Sequence, residues 1–280
     1  MDFRTIVDIP SSPWKIGPCE RMLFVGSCFA DNIGKRFVDE KFRAVVNPFG
    51  VMYNPASILH TVERLKESGD LPFQKEETGT AVFTLGTNHV YILKETGEIV
   101  DNCQKRPQRL FQEKELAVSE CANYLQQAIN LITKSFPRVR FIITVSPIRY
   151  RKYGYHQSQL SKATLLLATQ QLIDRMAAER PEANITYFPS YEIVNDELRD
   201  YRFYKPDMLH PSDQAVEYIY DRMADTFFSD ATRSFLKEWK PIREALHHRP
   251  FNPDSEEYKN FLAKTMEKYD ALKQRFPNLS

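Results

Sequence analysis

Three residues of this 280-residue chain have the types and the order that acyl transfer requires: Ser27, Asp207 and His210. A serine hydroxyl is a weak nucleophile until a base takes its proton, and the base itself needs a third group to orient it. Ser27 follows the apolar run Met22-Leu23-Phe24-Val25 and Gly26, and it precedes a helical stretch from Ala30 to Lys41 with Ile33, Phe37 and Val38 on one face. A hydroxyl between a strand and a helix start is lifted out of the sheet and meets unpaired backbone N–H groups. Its own N–H can then help hold an oxyanion. The plainer role of such a serine is to cap the helix. Asp207 and His210 lie in Asp207-Met208-Leu209-His210-Pro211, just ahead of another helical stretch. Three apart on a turn, the carboxylate can accept the imidazole Nδ1–H and leave Nε2 to take the serine proton. The plainer role is again a cap.

An oxyanion needs further donors. Gly50 offers a backbone N–H that a ligand can approach closely, and Asn88 offers a side-chain amide; both end strand-like runs. Each could equally serve a turn. Asn47 and Asn54 are the substitutes if Asn88 does not serve. Of the other histidines, His89 follows Asn88 and is placed to line the pocket. His60 falls on the polar face of a helix, His156 in a loop, and His247 and His248 near the C-terminus. Cys28 at a helix start is a rival nucleophile, since that position lowers a thiol pKa; a small packed thiol is the blander role. Asp207, His210, Cys28 and His89 match no metal-ligand spacing, so no metal and no cofactor is expected. The loop from Asp196 to Tyr204, with Arg202 in it, has arginines and aromatics suited to gripping a polar ligand.

The elements that must position these residues follow from periodicity. Strand-like runs are Met22–Val25, Ala44–Val46, Ala81–Leu85, Arg140–Val145 and Ile185–Phe188. Val90–Leu93 either continues the third run or turns back as a hairpin. Helical stretches are Ala30–Lys41, Pro55–Ser68, Glu113–Phe136, Leu160–Ala178 and Ser212–Phe228, with two more from Arg233 to Phe276 around a break at Pro250–Pro253. Tyr191–Pro206 reads as a loop. Strands alternating with helices predict a parallel sheet, with the ligand site at the carboxyl ends of its strands. Gly26-Ser27, Phe49-Gly50, Thr87-Asn88 and Ser146-Pro147 all fall there.

Gly26-Ser27-Cys28-Phe29-Ala30 is the motif of the GSCFA family, which this chain resembles. That bacterial family is similar to the SGNH (GDSL-type) hydrolases. Further matching stretches are Asn47–Pro55, Thr84–Thr87, Thr144–Pro147, Ser161–Leu165 and Tyr187–Pro211, so the resemblance spans most of residues 20–230. It implies a three-layer α/β/α sandwich around a five-stranded, mainly parallel, flavodoxin-like sheet. Carried over by position, it implies Ser27 as nucleophile, Asp207 with His210 as the rest of a triad, and an oxyanion hole from Ser27, Gly50 and Asn88. Two positions depart from the SGNH pattern. Gly26 stands where an Asp usually precedes the serine, and the third block reads Gly86-Thr87-Asn88-His89 rather than Gly-x-Asn-Asp.

Composition narrows the remaining classes. Lys plus Arg number 38 and Asp plus Glu 37, a formal charge of +1, which argues against a general nucleic-acid binder. No apolar run approaches the ~20 residues of a membrane helix. The N-terminus has no basic start and apolar core of a secretory signal. The four cysteines have neither paired spacing nor disulfide-scaffold density, so a reducing cytoplasm is expected. The expected organisation is an SGNH-like domain over 1–230 and a packed helical extension over 231–280. The expected activity is a serine esterase acting on a small-molecule or carbohydrate ester, with fold analogy pointing to a short acyl group such as acetyl. Asn54, His89 and Arg202 are the expected substrate contacts. The alternatives are an acyltransferase on the same triad, or a non-catalytic sugar- or acyl-binding protein. Oligomeric state is not legible.

Overall fold

The computed structural model describes residues 4–101, 103 and 106–279. In chain order the elements begin β1 (Arg21–Gly26), α1 (Cys28–Asp39), β2 (Arg43–Val46), α2 (Pro55–Ser68) and β3 (Gly79–Leu85). A small antiparallel insertion follows, made of β4 (His89–Leu93), β5 (Ile99–Val100) and β6 (Phe111–Glu115) in the order β5-β4-β6. The chain resumes with α3 (Val118–Ser135), β7 (Val139–Val145), α4 (Gly154–Glu179), β8 (Ile185–Tyr187) and the short α5 (Ser190–Glu192). A π-helical turn at Ile193–Leu198 and a 3-10 turn at Tyr201–Phe203 lead to α6 (Asp213–Phe227), α7 (Asp230–His247) and α8 (Glu256–Arg275).

The main sheet has the order β2-β1-β3-β7-β8, with every pair parallel. Its strands are apolar on both faces because helices cover both. Period-2 alternation divides each strand between two cores. Leu23, Val25, Phe83 and Ile143 face α2, α3 and α4, while Met22, Phe24, Val82 and Ile142 face α1 and α6. Each fully buried side chain of this kind contributes roughly 1.5–3 kcal/mol. This is the three-layer α/β/α sandwich expected above. The strand order reverses beside β1, so the crevice for a ligand lies between the carboxyl ends of β1 and β3.

The opposite end of the sheet is pinned by charge. Glu20 is buried and receives Arg140 Nη2 on both oxygens, at 2.5 and 2.6 Å, with Thr80 Oγ1 at 2.6 Å and Gly17 N at 3.0 Å. The starts of β1, β3 and β7 are thereby tied together.

Three local expectations are corrected. The helix expected over Glu113–Phe136 begins only at Val118; its charged start is β6, paired residue by residue with β4 from His89↔Glu115 to Leu93↔Phe111. Cross-strand pairing overrides the good helical propensity of Gln, Glu and Lys there. Val90–Leu93 therefore neither continues β3 nor makes a simple hairpin; it is the centre of a second sheet. The helix expected from Leu160 begins at Gly154, which puts His156 on α4 rather than in a loop.

Candidate active site

β1 ends in a glycine whose position leaves no room for a side chain. Gly26 has φ +146°, and a Cβ there would lie 2.1 Å from Thr84 O and 2.5 Å from Thr84 Oγ1. Gly26 N–H donates to Asn47 Oδ1 at 2.8 Å, and Asn47 Nδ2 donates to Asp31 Oδ1 at 2.7 Å. The absence of an Asp before the serine thus has a steric cause: the strand end is pressed against β3.

Ser27 is the N-cap of α1, its Oγ accepting from Phe29 N at 3.2 Å. Its N–H donates to Thr84 O at 3.1 Å and Thr84 Oγ1 at 2.9 Å, and its Oγ lies 3.1 Å from Thr84 Oγ1. The residue is 1% exposed. Gly86 packs on its other side, where a Cβ would come 3.4 Å from Ser27 Cβ and 3.0 Å from Tyr53 O.

Asp207 and His210 meet as the spacing predicts. Asp207 Oδ2 lies 2.6 Å from His210 Nδ1, while Oδ1 accepts from Leu209 N at 2.8 Å and His210 N at 3.0 Å. Those two N–H groups, and then the imidazole, hold the exposed carboxyl down at about 2. Met208 takes φ +58° to close the turn. The turn is sewn to its neighbours by Lys205 N to His210 O at 2.7 Å and Ser212 N to Phe203 O at 2.7 Å. It is also sewn to the end of β7: Arg149 N donates to Leu209 O and Arg149 Nη1 to Met208 O, both at 3.0 Å. The Arg149 guanidinium lies 4.3 Å from the Tyr155 ring centroid. His210 and Ser27 share no hydrogen bond among the described residues.

The other expected donors are engaged. Gly50 N–H donates to Asn47 O at 2.8 Å, and Asn88 Nδ2 donates to Leu116 O at 2.9 Å. Asn54 caps α2, its Oδ1 accepting from Ser57 N at 2.9 Å. Among the described residues, Asn54 Nδ2 donates to no protein group, unlike the amides of Asn47 and Asn88. Tyr53, its neighbour, accepts Gly86 N and Thr87 N on its carbonyl and reaches Cys28 Sγ with its hydroxyl at 3.6 Å.

From Tyr53 a line of rings leads to His89. Tyr53 to Tyr150 is 6.3 Å, Tyr150 to Tyr153 is 5.8 Å, and Tyr153 stacks on His89 at 4.1 Å. Burial lowers the His89 pKa, against the pull of Glu115 and Glu113. His89 lines a cavity of about 430 Å³ with Glu113, Lys114, Glu115, Tyr153 and Gln157. Arg202 is elsewhere: its side chain is 74% exposed, beside Asp200, and it lines a separate cavity of about 440 Å³ with Arg4 and Asp196. His60 pairs with Asp101 at 2.8 Å, which raises its pKa. Among the described residues no His/Cys/Asp/Glu group is disposed to hold a metal.

Two residues at the site carried no role in the sequence reading. Thr84 holds both polar groups of Ser27. Lys162, in α4, is 3% exposed and donates to Gly86 O and Ser146 O, each at 2.7 Å. The signal for Lys162 was its spacing, since it shares a helix face with Ser158, Ser161, Leu165, Thr169 and Leu172, all buried.

A parallel sandwich carrying an Asp–His pair and a strand-end serine at one edge defines an α/β protein with a candidate hydrolytic site. The chain belongs to the GSCFA family, whose model matches residues 21–78 and 73–223. Residues 239–280 match the GSCFA domain protein, C-terminal domain. A search of curated proteins finds no match. Among solved structures, the chain is similar to a member of the lipolytic protein G-D-S-L family from Veillonella parvula, with 12% identity and a TM-score of 0.45, over 74% of this chain and 98% of that one. It is also similar to a catalytic mutant of an acetylxylan esterase from Geobacillus stearothermophilus, with 12% identity and a TM-score of 0.44, over 77% and 98%. A carbohydrate esterase family 3 structure from Talaromyces cellulolyticus aligns with 10% identity and a TM-score of 0.40, over 78% and 99%.

Proposed function

We propose that this protein is a serine esterase in which Ser27 is the nucleophile, His210 the general base and Asp207 the group that orients it. The observation that carries this reading is the Asp207–His210 pair. One carboxylate oxygen is fixed by two backbone N–H groups and the other is 2.6 Å from Nδ1, so Nδ1 carries the proton and Nε2 is left to accept one. That arrangement sets the tautomer a general base needs. Ser27 supports the reading by its place at the start of α1, at the point where the strand order reverses.

Reaction begins with a rotation of the Ser27 side chain, which exchanges Thr84 Oγ1 for His210 Nε2. The oxygen attacks an ester carbonyl as the imidazole takes its proton, and the imidazolium returns that proton to the departing alkoxide. Water then releases the acyl group by the reverse exchange. The Ser27 N–H, the Gly50 N–H and the Asn88 amide already donate within the fold and must exchange those bonds to serve the oxyanion, whereas the Asn54 amide need not. Asn54 is favoured because its amide nitrogen is uncommitted. Tyr53, Asn54 and His89 are the proposed contacts for a small-molecule or carbohydrate ester. In this reading residues 1–230 carry the chemistry and 231–280 brace them. Four free thiols support a reducing, cytoplasmic setting.

Hydrolysis of p-nitrophenyl esters from acetate to octanoate tests it, with wild type beside Ser27→Ala and Cys28→Ala. The reading requires turnover that Ser27→Ala abolishes and Cys28→Ala leaves within a few-fold. Loss with Cys28→Ala alone moves the nucleophile to the thiol.

A further inference from the structure

Lys162 is a buried lysine with no acid beside it. Among the described residues its amine makes no ion pair; its polar contacts are two backbone carbonyls, Gly86 O and Ser146 O, both at 2.7 Å. The titratable group facing it from the neighbouring elements is Tyr191 of α5, whose ring centroid is 5.9 Å away and whose hydroxyl is occupied with Gln159. Burying an unpaired ammonium in such surroundings is costly. A neutral amine has two N–H groups, and two acceptors are present. For the third N–H of an ammonium the described residues offer no oxygen acceptor, and what remains is the distant face of the Tyr191 ring, 5.9 Å from the nitrogen.

The two carbonyls belong to the two halves of the candidate site. Gly86 directly follows β3 and packs against Ser27 and Tyr53. Ser146 directly follows β7 and starts the segment through Arg149, which holds Leu209 O and Met208 O of the turn that carries His210. We infer that Lys162, as a neutral amine, is a positioning residue that sets the separation between Ser27 and the Asp207–His210 pair by clamping the ends of β3 and β7. This rests on the esterase reading for its catalytic meaning, though not for the clamp. Burial lowers the pKa of this amine to about 7, in keeping with the two-donor geometry.

The state of the amine is read directly by NMR of protein labelled with ε-13C lysine. One lysine resonance is expected to titrate near pH 7, well below the rest. If every lysine titrates above pH 9, the neutral-amine claim is overturned. Stability supplies a second reading that a permanently charged structural lysine would not give. The unfolded chain holds the lysine proton to about pH 10 and the folded one releases it near 7, so the unfolded state binds more protons between them. The stability of wild type relative to Lys162→Met should therefore rise with pH from about 7 to about 10; a flat difference contradicts the inference.

Positioning is tested on p-nitrophenyl acetate. Folded Lys162→Met should lose about 10²-fold in kcat, the scale of a misplacement near 1 Å, with KM nearly unchanged. Wild-type kcat in the folded variant overturns the positioning claim. If wild type hydrolyses no ester, the esterase reading fails separately. The clamp is then judged by the amide shifts of Ser27 and His210, which must move in Lys162→Met; unmoved shifts overturn it.

Discussion

At the scale of single residues, the site depends on which protons are fixed and which can move. Asp207 stays ionised down to about pH 2 because two N–H groups and an imidazole favour its charged form. Its folded pKa is depressed, so its contribution to stability is present above the unfolded value of ~3.9 and fades as pH falls toward 2. A loss of rate on acidification above about pH 4 therefore does not report Asp207. Asp207→Asn keeps the shape but frees the imidazole to adopt the wrong tautomer, and kcat on p-nitrophenyl acetate should fall by about 10⁴-fold. Gly26→Ala acts differently. A methyl at φ +146° and 2.1 Å from Thr84 O must displace the strand end, at a cost of about 2–6 kcal/mol from strain and overpacking, measurable by urea unfolding. The sequence made Ser27, Asp207 and His210 legible because their spacing relative to a strand and a helix is local. Thr84 was not legible, since its approach to Ser27 depends on the pairing of β1 with β3, 57 residues away in the chain.

At the scale of elements, the parallel strands were readable from their apolar runs, and each ends where the site begins. β6 was not readable, because Gln112, Glu113 and Lys114 carry no strand signal of their own and are held by β4. That insertion brings Glu113 to Lys152 Nζ at 2.8 Å and to Tyr153 OH at 2.5 Å, fixing the ring that stacks on His89. Lys162 was half legible: its place on the apolar face could be counted, but its two carbonyl partners come from different strands. The strand starts supply a matching prediction. Arg140→Met strands the buried Glu20 carboxylate without its partner, and breaking a buried pair in this way costs about 3–5 kcal/mol. Chemical denaturation of the variant checks it, and a loss below 1 kcal/mol would mean that water reaches Glu20.

At the scale of the whole molecule, the C-terminal helices meet the sheet domain on the side of α1, away from the carboxyl ends of the strands. Trp239, Phe235 and Ile242 of α7 form a cluster with Cys19, Leu272 and Leu279, and the Trp239 indole donates to Asp39 O at 3.0 Å. Arg243 and Arg36 converge on Glu40. Trp239→Ala should therefore cost about 3–5 kcal/mol and lower the single thermal transition of the whole chain. Two separate transitions would show that the extension folds alone. Among the described residues no helix is long and apolar enough to cross a membrane. The central claim, that Ser27 is the nucleophile, is tested most directly by treating the folded protein with a fluorophosphonate and mapping the adduct by peptide mass spectrometry. The account predicts one stoichiometric adduct on Ser27, slowed in Asp207→Asn. An adduct on another residue, or none in a preparation that hydrolyses esters, would contradict it.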